Sequence, residues 1–262
     1  MEIDFGTSAE NEALDRTVNE SKDIINQSTD SEDSDSTDED DSDDEPAIVF
    51  GDGSTTECFD DWIEKWLPSN TTIESGYQWV LVFNRQACLS QRSIIGFQRK
   101  DLDGLSASWE NFIKSGRTVN YASLTELAHN HYVCSGKWMF WASSGGKIDH
   151  LWQKVASCIM KQQLPCFEAK VSTRRSYQTK YMQQVTNTHV VCIYNIDFTD
   201  YEQVMSSEQA IRKMGIKGRL FYKPDLFTHC GVYAKNPWNI KPHIFISDYD
   251  ILKKESVIQS FV

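Results

Sequence analysis

Long hydrophobic runs are missing from this 262-residue sequence. No stretch of about 18 consecutive apolar residues occurs, so we expect no membrane span and no membrane partner. Met1–Phe5 lacks the basic and then apolar pattern of a secretory signal peptide. The seven cysteines have scattered spacings, which is typical of buried, reduced thiols in a reducing compartment. These features together predict a soluble protein of the cytoplasm, or alternatively of the nucleus.

The motifs of common catalytic and metal sites are also missing. No Gly-x-Ser-x-Gly elbow occurs, and Ser144–Lys147 lacks the glycine spacing of a phosphate-binding loop. His129, His131 and Cys134 resemble part of a zinc site, but no fourth ligand follows at a suitable spacing. We therefore expect a protein that is not an enzyme and that holds no metal and no cofactor.

Acidic charge is concentrated at the amino terminus. Residues 1–46 contain 18 Asp and Glu but only 2 Lys and Arg, whereas residues 47–262 contain 20 and 24. The first segment has too few apolar residues to form a core, which predicts a disordered acidic tail over residues 1–46. Two interpretations stay open. The tail either solubilises the protein or competes with an anionic ligand for the mildly basic body.

Four hydroxyl residues in the most acidic part of this tail, residues 28–46, have an acidic residue three positions later. This spacing suits an acid-directed kinase, so we expect a phosphoprotein whose tail becomes more negative on modification. The four residues are Thr29, Ser36, Thr37 and Ser42.

The stretch 135–159 predicts a strand, a turn and a helix. The strand is Lys137–Ala142, which is short and rich in aromatic residues. Gly145 and Gly146 favour a turn, and Asp149 is placed in the first turn of the helix, where a negative charge is stabilised. The apolar helix residues fall on one face, which must pack against a sheet.

Further elements are predicted along the chain by the spacing of apolar residues. Strands are expected at 78–83, 91–98, 167–172, 189–195, 218–222, 228–234 and 243–246, and a polar loop at 173–188. Helices are expected at 58–67, 105–114 and 201–214, with another that opens on a capping box at Ser123.

This irregular alternation favours an α+β fold in which helices cover one face of an antiparallel sheet. We expect a linker at 47–56, one domain at 57–250 and a carboxy-terminal tail at 251–262.

Several short blocks in this sequence resemble one known family. Roughly residues 57–247 are similar to the uncharacterised family of the basophilic leukaemia-expressed protein (Bles). The blocks are SGKWMFW, KIDHLW, AKVS, DFTD, AIRKMGIK, YKPD and YAKNPW. The resemblance implies the fold of the cap-binding translation initiation factor, which is a curved antiparallel sheet backed by helices with a ligand cleft on its concave side.

The cap-binding factor holds its methylated base between two tryptophans, which stack on both faces of the cationic ring. The resemblance places these residues about ten positions after Trp79 and about eleven before Trp138. This chain has Leu89 and Leu127 there. The resemblance therefore implies a cleft without the tryptophan pair of a true cap binder.

Basic residues after the AKVS block are the candidate phosphate ligands. Lys170, Arg174 and Lys180 lie close together in the sequence with no acidic residue between them. Clustered cations attract phosphate oxygens, and the resemblance implies this role for Lys170 and Arg174. His131 and Tyr132 are the candidates for contact with a base. The alternative interpretation of the basic segment is a solvated loop.

A second basic set is interpreted mainly as solubilising. It comprises Arg212, Lys213, Lys217, Arg219 and Lys223.

The sequence thus favours a non-catalytic binding protein for RNA or a nucleotide. The alternative is a protein-interaction module that binds a protein partner on its helical face, through an exposed Trp62 or Trp152.

Overall fold

The computed structural model describes residues 45–95, 99–174, 176–178, 183–185 and 187–262. Residues 1–44, the main part of the expected acidic tail, lie outside this range. The described residues belong to one compact unit, Asp40–Val262.

An eight-stranded sheet is the centre of the fold. Its strand order is β1-β2-β4-β7-β3-β8-β9-β10, and within the described residues its neighbouring strands are antiparallel except for β1 and β2. A separate pair, β5 and β6, lies in the segment expected to be a loop. The strands are β1 (Ala47–Phe50), β2 (Trp79–Phe83), β3 (Gly136–Ser143), β4 (Glu168–Ser172), β5 (Ser176–Gln178), β6 (Gln183–Val185), β7 (Thr188–Asn195), β8 (Leu220–Pro224), β9 (Phe245–Asp250) and β10 (Glu255–Ser260).

Seven α-helices and a short 3₁₀ turn at Ile73–Ser75 complete the described elements, and the α+β prediction is confirmed. The helices are α1 (Phe59–Lys65), α2 (Arg85–Ile95), α3 (Leu102–Lys114), α4 (Tyr121–Asn130), α5 (Gly146–Met160), α6 (Tyr201–Lys213) and α7 (Asp225–His229).

Side chains alternate between the two faces of the sheet, as β3 shows. Trp138 and Phe140 belong to the large apolar core that packs against the helices. Met139 belongs to a second cluster on the opposite face. The large core takes side chains from α1, α3, α4, α5, α6 and α7, so these helices back one face. From α2, Ala87 and Cys88 pack into the second cluster instead.

The predicted strand, turn and helix of residues 135–159 are confirmed as β3 and α5. Asp149 lies in the first turn of α5, and it accepts hydrogen bonds from the backbone N–H and the hydroxyl of Ser69, at 3.0 and 2.6 Å. The seven cysteines are free thiols, of which Cys58 is exposed and Cys134 half-buried.

Two predicted strands are wrong. Residues 91–95 belong to α2, and residues 96–98 lie outside the described residues. Asn84 explains the helix, because its side-chain oxygen accepts from the N–H of Ala87 at 2.9 Å and so caps the first turn. The strand predicted at 228–234 is replaced by the end of α7 and the turn after it.

Three boundaries also differ. Residues 47–56 contain β1, which pairs with β2, and residues 251–262 contain β10, which pairs with β9. A linker and a tail were expected there because short strands at a sheet edge carry little hydrophobic periodicity. The capping box belongs to Asn120, which caps α4, while Ser123 is the third helical residue.

Candidate functional site: a lysine-bearing sheet face

Three lysines lie on the sheet face opposite the main helical layer. Lys137 on β3 pairs with Lys223 on β8 and with Tyr194 on β7. Tyr194 pairs in turn with Glu168, which lies two residues before Lys170 on β4. Because side chains alternate along a strand, all three lysines point to the same side. We call Lys137, Lys170 and Lys223 the lysine cluster and this side of the sheet the lysine face.

Each lysine of the cluster places its ammonium group over an aromatic ring. The Lys170 ammonium lies 3.9 Å from the Trp79 ring centroid, and the Lys223 ammonium lies 3.9 Å from that of Tyr233. The Tyr194 ring is shared, with Lys137 at 5.3 Å and Lys170 at 5.8 Å. A cation over an aromatic face is attracted by the electron-rich ring. The sheet therefore brings positive charge and π surface together in one place.

The cluster is deeply buried. Lys137, Lys170 and Lys223 are 2%, 5% and 7% exposed. Burial lowers the pKa of Lys137, because the charged form loses its hydration, and neighbouring Lys170 lowers it further while Asp225 opposes the shift. Lys170 therefore repels the charged form of Lys137, and an anion placed between the two would reduce that repulsion.

Asp225 is the carboxylate at one end of the cluster. It lies at the start of α7, with one oxygen 3.5 Å from the Lys137 ammonium and the other 3.8 Å from that of Lys100. The Ser135 hydroxyl donates a hydrogen bond to the same carboxylate. Lys100 is the more accessible cation here, since its side chain is 30% exposed.

Aromatic side chains continue the lysine face towards solvent. Trp141 is 51% exposed, and its ring packs edge-on against Phe221 with centroids 5.4 Å apart. Phe221 also contacts the His243 ring at 5.1 Å. Burial lowers the pKa of His243 to about 4, with further contributions from Lys241 and Lys223. An exposed indole on the same face as buried cations is a suitable stacking surface for a ring-bearing anion.

At the Lys170 end of the cluster, Trp79 contacts Glu45, the first described residue. The Trp79 indole N–H donates a hydrogen bond to the carboxylate of Glu45. The next residue, Pro46, accepts from the backbone N–H of Gln78 at 2.8 Å. Glu45, the first described residue, therefore lies beside the Trp79 ring that contacts the Lys170 ammonium.

The part of the chain that contains the lysine cluster is similar to a known family. Residues 105–231 match the family model of the basophilic leukemia-expressed protein Bles03. All three members of the lysine cluster lie inside the matched range. The family resemblance expected from the sequence is therefore confirmed.

Solved structures of the cap-binding factor eIF4E are similar in fold. The C. elegans eIF4E-3 complex with the 4E-binding protein Mextli and a cap analog is 19% identical, with 36% of this chain and 51% of that chain covered and a TM-score of 0.29. Schistosome eIF4E with m7GpppA and 4E-BP is 10% identical, with 40% and 55% covered and a TM-score of 0.31. Ascaris suum eIF4E-3 with m7G cap is 15% identical, with 42% and 56% covered and a TM-score of 0.30. This chain thus spans about half the length of each, and the likeness concerns the fold alone.

The predicted phosphate ligands are not all found together. Lys170 lies at the middle of the lysine face, and Lys180 lies outside the described residues. Arg174 is exposed and follows the far end of β4, where it bridges Thr72. Burial as deep as that of Lys170 was not expected from a basic segment, because solvated loops usually carry such residues.

The predicted base contacts lie at the opposite end of the strands from Arg174. His131 and Tyr132 precede β3, and both ring nitrogens of His131 are hydrogen bonded, at 3.0 Å to Asp101 and 2.9 Å to Ser108. The bond from His131 lowers the pKa of the Asp101 carboxyl. Tyr132 is exposed and has a left-handed backbone, with φ of 58°. Asp101 directly follows Lys100, which pairs with Asp225. His131 and Tyr132 therefore lie near the Asp225 end of the lysine cluster.

Sequence reasoning missed Lys137 and assigned Lys223 to a solubilising set. Each lies in an otherwise apolar strand, and that isolated charge was the available signal. Arg212 from the same set is also buried, where it pairs with Glu208 at 2.9 Å. Arg219 is on the surface and pairs with Asp248 at 2.8 Å.

The residues suggested for a protein-binding helical face are in the core. Trp62 and Trp152 are fully buried, so neither is available as an exposed anchor. Leu127, in one expected tryptophan position, is also buried among the helices, whereas Leu89 on α2 is exposed.

Two further findings concern the described part of the chain. No helix there is long and apolar enough to cross a bilayer. No group of three or more His, Cys, Asp or Glu side chains is placed there to hold a metal ion.

Proposed function

We propose that this protein is a non-catalytic binding protein whose lysine face takes a phosphate-bearing ligand, either RNA or a nucleotide. The observation that supports this most directly is the convergence of Lys137, Lys170 and Lys223 on one face of the sheet. Phosphate oxygens form strong charge-assisted hydrogen bonds with ammonium groups. Burial is the main cause of the lowered pKa of Lys137 and neighbouring Lys170 adds to it, so an anion at the cluster would offset this second contribution.

The base or ribose end of the ligand would lie towards Trp141. This indole is exposed and is four residues from Lys137 along β3, which corresponds to about 13 Å of strand. That separation suits a nucleotide whose ring stacks on the indole while its phosphates approach the cations. Stacking on an aromatic side chain contributes about 1–3 kcal/mol per base and tolerates any base.

The test is fluorescence anisotropy with a labelled single-stranded RNA and with a labelled nucleoside triphosphate. If three ammonium groups contact phosphates, affinity for the RNA should fall about twentyfold between about 50 and 200 mM salt. The double variant Lys137→Met, Lys223→Met should bind weakly, and its remaining affinity should fall only about threefold over the same range.

The matched control is Lys154→Met, Lys213→Met. It removes the same charge from exposed positions on α5 and α6, which lie on the other side of the sheet. The control should bind like the unmodified protein. Absence of binding of either probe at low salt, or equal losses in the two double variants, would refute the proposal.

A further inference from the structure

Four aromatic side chains form a continuous row on the lysine face, from β3 to the edge of the sheet at β10. Trp141 packs against Phe221 and Phe221 against His243, with ring centroids 5.4 and 5.1 Å apart. His243 packs in turn against Phe261 at 5.6 Å. The backbone N–H of Phe261 donates to the carbonyl of Ile244 at 3.0 Å, which holds the last ring beside the start of β9. We call these four aromatic residues the aromatic row.

The aromatic row lies beyond the part of the lysine face on which α2 packs. From α2, Ala87 and Cys88 pack with side chains of β2 and β7 in the second cluster. Among the described residues, no side chain of β8, β9 or β10 belongs to that cluster. Both ends of the row are accessible to a ligand, since Trp141 is 51% exposed and Phe261 is 38% exposed.

The two exposed rings are too far apart for one base to stack on both. Trp141 is on β3 and Phe261 directly follows β10, and the strands β8 and β9 lie between them. Three strand spacings amount to about 14 Å across the sheet. A ligand that contacts both rings must therefore carry several ring systems on one chain, as the bases of a single nucleic acid strand do.

Positive charge accompanies the row at its Phe261 end. The ammonium of Lys241, an exposed side chain, lies 5.9 Å from the Phe261 ring centroid. Lys241 also helps to lower the pKa of His243, the next ring of the row. Asp248 lies further along β9 and is paired with Arg219 at 2.8 Å. A nucleic acid strand matches this arrangement, because its bases stack on rings and its phosphates attract cations.

We propose that the aromatic row is an extended binding surface for a single RNA strand. One base stacks on Trp141, a later base stacks on Phe261, and a phosphate near the second base approaches Lys241. The row thereby selects an oligonucleotide over a mononucleotide. This inference rests on the proposed function, because it assigns the ligand of the same face. RNA recognition domains with an open sheet stack successive bases on surface aromatic side chains in the same manner.

The row is tested by fluorescence anisotropy with a labelled oligoadenylate of six nucleotides and with labelled adenosine triphosphate. Phe261→Leu keeps an apolar side chain and removes the ring. This variant should bind the oligoadenylate about tenfold more weakly and the triphosphate with unchanged affinity. Phe261→Tyr keeps the ring and should bind both probes like the unmodified protein.

The matched control is Tyr201→Leu, which removes an exposed ring from α6 on the other side of the sheet. It should change neither affinity. If Phe261→Leu loses no more oligoadenylate binding than this control, or weakens the triphosphate equally, the extended surface is refuted while the proposed function stands. If neither probe binds to the unmodified protein, the proposed function fails and this inference fails with it.

The phosphate contact is tested separately by Lys241→Met. Loss of one phosphate contact should make the slope of log affinity against log salt concentration shallower by about 0.7 for the oligoadenylate. Lys154→Met, at an exposed position on α5, removes the same charge and should leave the slope unchanged. An unchanged slope in the Lys241 variant would contradict a phosphate at this position.

Discussion

The ammonium of Lys170 lies over the ring of Trp79 and also approaches Tyr194, the ring that Lys137 shares. The two buried cations are therefore coupled through space as well as through a common aromatic neighbour. Lys170 is among the groups that lower the pKa of Lys137, after burial itself.

Lys170→Met should raise the pKa of Lys137. The substitution removes a neighbouring positive charge and keeps an apolar stem of similar length, so the protonated form of Lys137 becomes less unfavourable. The measurement is an NMR titration of the Lys137 side-chain Cε and Nζ signals. Lys154→Met, at an exposed position on α5, is the control and should leave the titration unchanged. An unchanged Lys137 in the Lys170 variant would show that the two charges do not interact.

The free energy of unfolding should fall as the pH drops from about 6.5 to about 4, because the His243 imidazole is protonated in the unfolded chain over this range. Burial lowers the folded-state pKa of this imidazole to about 4, below its unfolded value. Between these values the unfolded chain binds the extra proton, so the free energy of unfolding rises with pH and is constant above about pH 6.5 with respect to this group. Discounted for partial exposure to solvent, the effect amounts to about 2 kcal/mol.

His243→Phe removes the titratable imidazole and keeps an aromatic ring beside Phe221 and Phe261. The pH dependence of urea unfolding should be shallower in this variant over that range. His189 also has a pKa lowered by burial, so the comparison is the difference between the two proteins rather than the slope of either. Parallel pH profiles would contradict the assignment to His243.

Arg212→Met should destabilise the fold by about 3–5 kcal/mol, because it leaves the buried Glu208 carboxylate without its cation. Arg212 also donates hydrogen bonds to the backbone carbonyls of Ile216 and Ser247, at 3.0 and 2.7 Å. The bond to Ser247 connects α6 to β9. Denaturant unfolding measures the loss.

The double variant Arg212→Met, Glu208→Met should lose less than the single one, since no unpaired charge stays in the core. Lys213→Met, at the exposed neighbouring position, should change stability by less than about 0.5 kcal/mol. A single variant as stable as this control would show that the buried pair contributes nothing.

Gly136→Ala should destabilise the sheet by about 1–3 kcal/mol. A Cβ at Gly136 would overlap the buried hydroxyl of Tyr222, which donates a hydrogen bond to the side-chain oxygen of Asn195. The tyrosine would have to move and weaken that bond. Gly218→Ala is the control, because no atom lies within 4 Å of the Cβ it would add. Equal melting temperatures for the two variants would contradict the close approach.

The sequence by itself determined which segments are amphipathic and which are acidic. The helices α1, α3, α5 and α6 and most core strands were predicted because their apolar residues recur with the period of the element. The run Gln91–Gln98 was misjudged, since a short apolar segment does not distinguish a strand from a helix. The cap at Asn84 decides it, and Asn84 is held by the carbonyls of Ile159 and Met160 on α5, distant in the chain.

Only the tertiary structure decided the lysine face. Alternation along a strand predicts which side of a sheet a lysine points to, but not which strand lies beside it. The strand order puts β4, β7, β3 and β8 side by side, and the register aligns Lys137 with Lys223. That alignment results from long-range hydrogen bonding and core packing, which local periodicity does not encode. The same register separates Arg174 from His131, two residues that the sequence alone had assigned to one site.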